Sequence, residues 1–256
     1  MKIIAIANQK GGVGKTTSSI CLSSSLSSLG KRVLLIDCDP QGNASAGLGI
    51  DSLNLSKTLY NVFINETDIN KAIKKTSMPN LEIVPSNINL ASIEAGATSY
   101  SYQPQFLLKN NIDKLTKPYD YIILDCPPSL GFLSINALAA ADSVLIPVQC
   151  EYFALNAVAQ ILATIKRIKS IYNSKLDIEG FLLTMYDPRT KLCVEIGSQI
   201  RGLFKENTFI TTIPRNISLP EAQAQGIPVT IFRPTSAGSL SYLALAREVL
   251  ENGEKR

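Results

Sequence analysis

The 256-residue chain has no histidine and no tryptophan. Without imidazole there is no Ser-His-Asp triad, no His general base and no His-ligated zinc. The five cysteines, Cys21, Cys38, Cys126, Cys150 and Cys193, form no Cys-x-x-Cys pair. They read as buried free thiols of a reducing compartment, not as ligands of zinc or an iron–sulfur cluster. No apolar stretch approaches the ~20 residues of a bilayer span, and a glycine loop interrupts the first apolar run where a signal peptide would continue. Charge is also modest: charged residues make up 18% of the chain and the net charge is +4, which permits an anionic partner without requiring one.

What is present is organised around Asn8-Gln9-Lys10-Gly11-Gly12-Val13-Gly14-Lys15-Thr16-Thr17. An apolar strand, Ile3 to Ala7, leads into it and a helix running to about Leu29 follows. Glycines let the backbone approach an anion closely, and the helix start adds partial positive charge. Such a loop cradles phosphates, with Lys15 reaching the β- and γ-phosphates of ATP and the Thr16 hydroxyl ligating Mg²⁺. The common G-x-x-x-x-G-K-[ST] spacing would place its first glycine at Gln9. This chain has an extra lysine, Lys10, at the loop entrance instead.

Two further constellations end apolar strands in carboxylates. Leu34-Leu35-Ile36-Asp37-Cys38-Asp39-Pro40 delivers Asp37 and Asp39 into a turn beside the phosphate loop, where a carboxylate can orient water or serve the metal shell. Tyr121-Ile122-Ile123-Leu124-Asp125 has the form of a Walker B strand, with Asp125 serving Mg²⁺. Pro127-Pro128-Ser129-Leu130-Gly131 then makes a stiff loop near the γ-phosphate.

Strand and helix patterns alternate throughout. Strands are expected at 3–7, 33–37, 81–85, 121–125, 144–149, 181–185 and 210–213. Helices are expected at 18–29, 88–95, 106–115, 133–140, 155–171, 193–204 and 239–250. This predicts an α/β fold of the P-loop type: a single domain over 1–256, with a mostly parallel twisted sheet covered on both faces. Ligands of such sheets lie beyond the carboxyl ends of the strands.

Together with Pro147-Val148-Gln149-Cys150-Glu151-Tyr152-Phe153-Ala154-Leu155, these motifs resemble the ParA/Soj partitioning ATPases, whose deviant Walker A loop carries a lysine where Lys10 stands. The resemblance spans Lys2 to about Leu250. It implies a cytoplasmic, nucleoid-associated ATPase that forms a homodimer around ATP and Mg²⁺, with Lys10 reaching the phosphates of the other subunit. It further implies that Gly11, Gly12, Val13, Gly14, Lys15, Thr16 and Thr17 hold the phosphates, that Pro214 and Asn216 lie at the adenine, and that Asp39 supports hydrolysis. Thr16, Asp39 and Asp125 serve the metal.

The resemblance also implies DNA binding without sequence preference, through Arg189 in Asp187-Pro188-Arg189-Thr190 and Arg215 in Ile213-Pro214-Arg215-Asn216. A ParB-type partner would stimulate turnover. The chain departs from the pattern at Ser218, where relatives commonly have another arginine, and around Glu221. The basic run Lys166-Arg167-Ile168-Lys169 reads as a wet helix face. The tail Glu251–Arg256 lacks the basic amphipathic helix of MinD-type membrane switches, an alternative with the same core. A metabolic P-loop ligase of dethiobiotin-synthetase type is a second alternative, although such relatives usually lack a lysine at position 10. A nitrogenase-reductase-like role fits the cysteines poorly.

Overall fold

A computed structural model describes residues 1–93 and 102–255. The strands β1 (Lys2–Ile6), β2 (Val33–Asp37), β3 (Lys74–Lys75), β4 (Leu81–Val84), β5 (Tyr121–Asp125), β6 (Ser143–Gln149) and β7 (Asp177–Thr184) form one sheet. Their order is β3-β4-β2-β5-β1-β6-β7. All pairs are parallel except β3 with β4. The short antiparallel β3 was not expected; its two lysines blunt the sheet edge with charge.

Alternation along each strand splits the core in two. Ile3, Ala5, Leu34, Ile36, Ile122 and Leu124 face helices Phe132–Ala140 and Ala154–Ile171. Ile4, Ile6, Val33, Leu35 and Ile123 face helices Lys15–Ser28 and Ala237–Lys255. Both faces are covered, which is why the strands read as unbroken apolar runs. Helix Lys15–Ser28 is itself wrapped by sheet and C-terminal helix, so its many serines are buried with its leucines. In helix Ala154–Ile171 only Ile168 of the basic run is buried, and Lys166, Arg167 and Lys169 are exposed, as a wet face requires.

Two expectations are corrected. Residues 210–213 are not a strand, although their apolar spacing suggested one. Phe209 and Ile213 N–H groups bond to the β7 carbonyls of Phe181 and Leu183. Between them the N–H groups of Ile210 and Thr211 donate to the Glu248 carboxylate at 2.7 and 3.1 Å. A side chain from the C-terminal helix thus replaces the ladder. The helix expected at 88–95 opens as a 3₁₀ turn at Ile88–Ala91, Ser92 and Ile93 are helical, and residues 94–95 lie outside the described residues. Helix Ser218–Ala224 was not expected, because Pro220 breaks its pattern; in the first turn proline removes no needed donor.

Candidate nucleotide site

Strand register brings the carboxylates together. Asp37 and Asp125 are direct partners across β2 and β5, and Asp125 is in turn level with Ile6, the last residue of β1. All three positions stand at the carboxyl ends of central strands.

The loop itself is pinned at several points. Asn8 Nδ2 donates to the Pro147 carbonyl at 2.7 Å, and Asn8 Oδ1 accepts the Lys10 N–H at 3.0 Å. The Thr184 hydroxyl, at the end of β7, donates to the Val13 carbonyl at 2.8 Å. Gly12 and Gly14 have φ of 75° and 91°, left-handed values that favour glycine. Gly14 begins helix Lys15–Ser28, which has no side-chain cap. Its first-turn N–H groups therefore suit an anion. Removing the Thr184 pin by Thr184→Val should weaken nucleotide binding about fivefold, the worth of one hydrogen bond of about 1 kcal/mol. Titration calorimetry against the parent chain checks this, with unchanged affinity as the contrary result.

Lys15 is buried and its Nζ donates to the Lys10 carbonyl at 3.0 Å. Burial lowers its pKa, opposed by the charges of Asp125, Cys126 and Asp39. Lys10 pairs with Glu151 in the same chain. Asp39 lines the same cleft as Gly11, Lys15, Thr16 and Pro128, a space of about 330 Å³. One oxygen of Asp39 accepts the Gln41 N–H at 2.9 Å, which fixes the turn. Asp37 is instead consumed by the scaffold. Its Oδ1 accepts the Asp39 N–H at 3.1 Å, and its Oδ2 accepts the Ser45 N–H and hydroxyl at 2.9 and 2.7 Å. Asp37 therefore positions Asp39.

Asp125 is fully buried. The Ser19 hydroxyl donates to its Oδ1 at 2.8 Å, while its Oδ2 has no donor. Burial, then the neighbouring Asp37, pushes its pKa up to about 8, opposed by the Ser19 and Thr16 hydroxyls. Among the described residues no trio of His, Cys, Asp or Glu converges as a metal cage. The oxygen set fits Mg²⁺ of the phosphate-bound kind, which needs only one or two protein ligands beside waters and phosphates. Thr16 and Asp39 at the cleft and the orphaned Asp125 oxygen behind them supply that set.

An acid raised by folding binds protons that the unfolded chain has released. Its contribution is therefore present at low pH and lost between about pH 4 and about pH 8. In chelator and without nucleotide, the melting-temperature gap between the parent chain and Asp125→Asn should widen against the parent across that window. A pH-independent gap would contradict the reading.

A second cleft, about 280 Å³, shares Gly12, Gly14 and Thr17 with the first and continues to Pro214, Asn216 and Tyr242. Its floor includes Met185, which holds φ of 49°, a strained value for a side-chain-bearing residue and one that often marks a functional site. Tyr242 is anchored there by its hydroxyl, 2.9 Å from Ser18 Oγ. Arg215 borders the pocket, and the Tyr186–Pro214 bridge sets its loop beside Asp187-Pro188-Arg189. Arg189 is 88% exposed in its side chain and is forked onto Asp187 at 2.9 and 2.8 Å. That pairing holds the Asp187 carboxyl down at about 2. Ser218 faces inward, its N–H on Asn216 Oδ1 at 3.1 Å.

The structure thus gathers the glycine loop and Asp39 at one cleft with Asp125 buried behind it, Pro214 and Asn216 at the adjoining pocket, and the two arginines on neighbouring loops. Thr184, Ser19, Tyr242, Met185 and Glu151 were not singled out by sequence reasoning. All but Met185, which is marked by its backbone angle, act through a partner far along the chain, and only Glu151 lay within a quoted motif.

Among the described residues no helix is long and apolar enough to cross a membrane. A family described as an AAA domain matches residues 1–178. The sporulation initiation inhibitor protein Soj of Bacillus subtilis is 46% identical over 252 residues, covering 98% of this chain and 99% of its own. The chromosome partitioning protein ParA of Myxococcus xanthus is 45% identical, covering 98% and 88%. Among solved structures, cobyrinic acid a,c-diamide synthase from Mycobacterium smegmatis with bound ADP and magnesium superposes with a TM-score of 0.87 at 33% identity, covering 99% and 96%. With such identity to Soj and ParA over nearly its whole length, the chain belongs to the ParA/Soj family of partitioning ATPases.

Proposed function

We propose that the chain is an ATP-dependent DNA-partitioning ATPase. Two copies close around ATP and Mg²⁺, hold DNA without sequence preference, and release it on hydrolysis stimulated by a ParB-type partner. Bound at the cleft, Mg²⁺ would neutralise phosphate charge as turnover proceeds. Lys15 would bind the β- and γ-phosphates, Asp39 would orient the attacking water, and Asp125 would act from behind Thr16. Pro214 and Asn216 would enclose the base. With no histidine to act as a base, turnover rests on positioning and charge, so slow intrinsic hydrolysis is expected.

The observation that carries the DNA reading is the placement of Arg215, which borders the base pocket on a loop bridged to that of the exposed Arg189. Arg215 is part of the wall of the proposed base pocket, which would link nucleotide occupancy to the cationic loops. Each cation contributes modestly, so retention depends on doubling them in a dimer. The test is retention on duplex DNA with ATP, ADP or no nucleotide, at two salt concentrations. Retention should need ATP and fall steeply with salt. Arg189→Ala and Arg215→Ala should each weaken it on all sequences alike and reduce the salt slope by about one per lost phosphate contact. An unchanged slope in both variants contradicts the assignment.

The likeness to the diamide synthase structure favours a second reading, a ligase that activates a carboxylate with ATP. ATP turnover strictly dependent on one small carboxylate, with no DNA retention, would select it.

A further inference from the structure

Two of the thiols meet in a cleft that the nucleotide reading does not use. Cys150 directly follows β6, and Cys193 lies in the first turn of helix Lys191–Phe204. Gln149 is level with Thr184 across β6 and β7, which sets Cys150 beside the loop whose Asp187 N–H meets the Cys193 sulfur, so the two thiols are neighbours. Both line a cleft of about 290 Å³ whose other walls include Glu151, Asp187 and Thr190. They are 9% and 4% exposed, so a small solute in the cleft reaches them. Thiols beside carboxylates could suit a soft cation, but among the described residues no three such groups converge on a metal position. A dithiol remains.

Cys38 and Cys126 supply an internal comparison. They follow the registered pair Asp37 and Asp125 on neighbouring strands, yet each is only 1% exposed. They sit on adjoining strand ends, as neighbours in the sheet, but are more deeply buried than Cys150 and Cys193.

We propose that Cys150 and Cys193 form a peroxide-oxidisable dithiol that closes to a reversible disulfide, tying the end of β6 to the helix that follows the Asp187–Thr190 loop. Cys193 is the better-placed nucleophile, because its sulfur accepts the Asp187 N–H at 3.3 Å in a helix first turn. Burial, then the neighbouring Cys193, pushes the Cys150 thiol up to about 12, so Cys150 rests protonated and its attack is the slow step of closure. The Cys193 sulfur attacks one peroxide oxygen, the O–O bond breaks, and water or an alcohol leaves, giving a sulfenic acid. The Cys150 sulfur then attacks the Cys193 sulfur, the S–O bond breaks, and the hydroxyl leaves as water with the Cys150 proton. Two thiols are oxidised to one disulfide and one peroxide is reduced.

The test treats the full chain, without nucleotide or DNA, with hydrogen peroxide, then removes the peroxide, unfolds the chain in denaturant and adds a maleimide, followed by intact-mass and peptide mass spectrometry. The expected result is a loss of two hydrogens, a Cys150–Cys193 cross-linked peptide, maleimide on Cys21, Cys38 and Cys126 only, and full reversal by dithiothreitol. Cys150→Ser should yield no cross-link and a dione-trapped sulfenic acid at Cys193. Five alkylatable thiols after peroxide, or a Cys38–Cys126 cross-link formed as fast, would overturn the proposal.

Discussion

Asp39→Ala should bind ATP as the parent chain does and turn it over about 100-fold more slowly or worse, leaving the protein trapped on DNA. Asp39 lines the cleft beside the glycine loop, but in the proposed reading the groups that grip phosphate are Lys15 and the first-turn N–H groups of helix Lys15–Ser28. Removing the carboxylate therefore deletes water orientation, worth about 10²–10⁴ in rate, and leaves ground-state binding in place. The fold should tolerate the change, because only the exposed Gln41 N–H loses its partner, while Asp37 and Ser45 keep the buried part of the turn. Lys15→Ala provides the contrast: losing a charged contact worth about 1.5–3 kcal/mol should weaken ATP binding by about 10- to 100-fold. Nucleotide titration, phosphate release and DNA retention on both variants check the division of roles. Equal loss of ATP affinity in the two would contradict it.

Lys10→Ala should keep ATP binding within a few-fold and abolish ATP-dependent dimerisation and DNA retention together. In the single chain, Lys10 pairs with Glu151 at the mouth of the loop, and only its carbonyl, through Lys15, touches the phosphate-binding lysine. Its ammonium is held by Glu151 and not by the other residues of its own loop, and in the proposed dimer it would leave that partner for a nucleotide held by the second copy. An added cation on transition-state charge is worth about 10²–10³ in turnover. Its loss should remove turnover as well as assembly. Sedimentation with ATP, beside the DNA assay, measures this. A variant that still dimerises and holds DNA would exclude the cross-subunit role.

The parts legible in the sequence were those written locally. The phosphate loop, the Asp39 turn and the Asp125 strand each declare themselves within about ten residues, because a buried parallel strand is an apolar run and its functional end is the first break. The parts that were not legible depend on contacts across the chain. Thr184 steadies Val13 from 171 positions away, Tyr242 meets Ser18 across 224, and Ser19 meets Asp125 across 106. Nothing local distinguishes these hydroxyls from the other serines, threonines and tyrosines. The division of labour between Asp37 and Asp39 was similarly hidden, since both sit in one turn and only Ser45 reveals which carboxylate is already occupied. Residues 210–213 show the opposite failure, a strand-like pattern whose N–H groups a glutamate from the last helix intercepts.

The most direct measurement is the mass, by light scattering, of the Asp39→Ala chain bound to a short duplex in ATP and Mg²⁺, set beside the same chain in ADP. The account predicts a complex holding two subunits in ATP and no stable complex in ADP. A duplex carrying one ATP-loaded subunit, held as firmly as by any larger species, would contradict it.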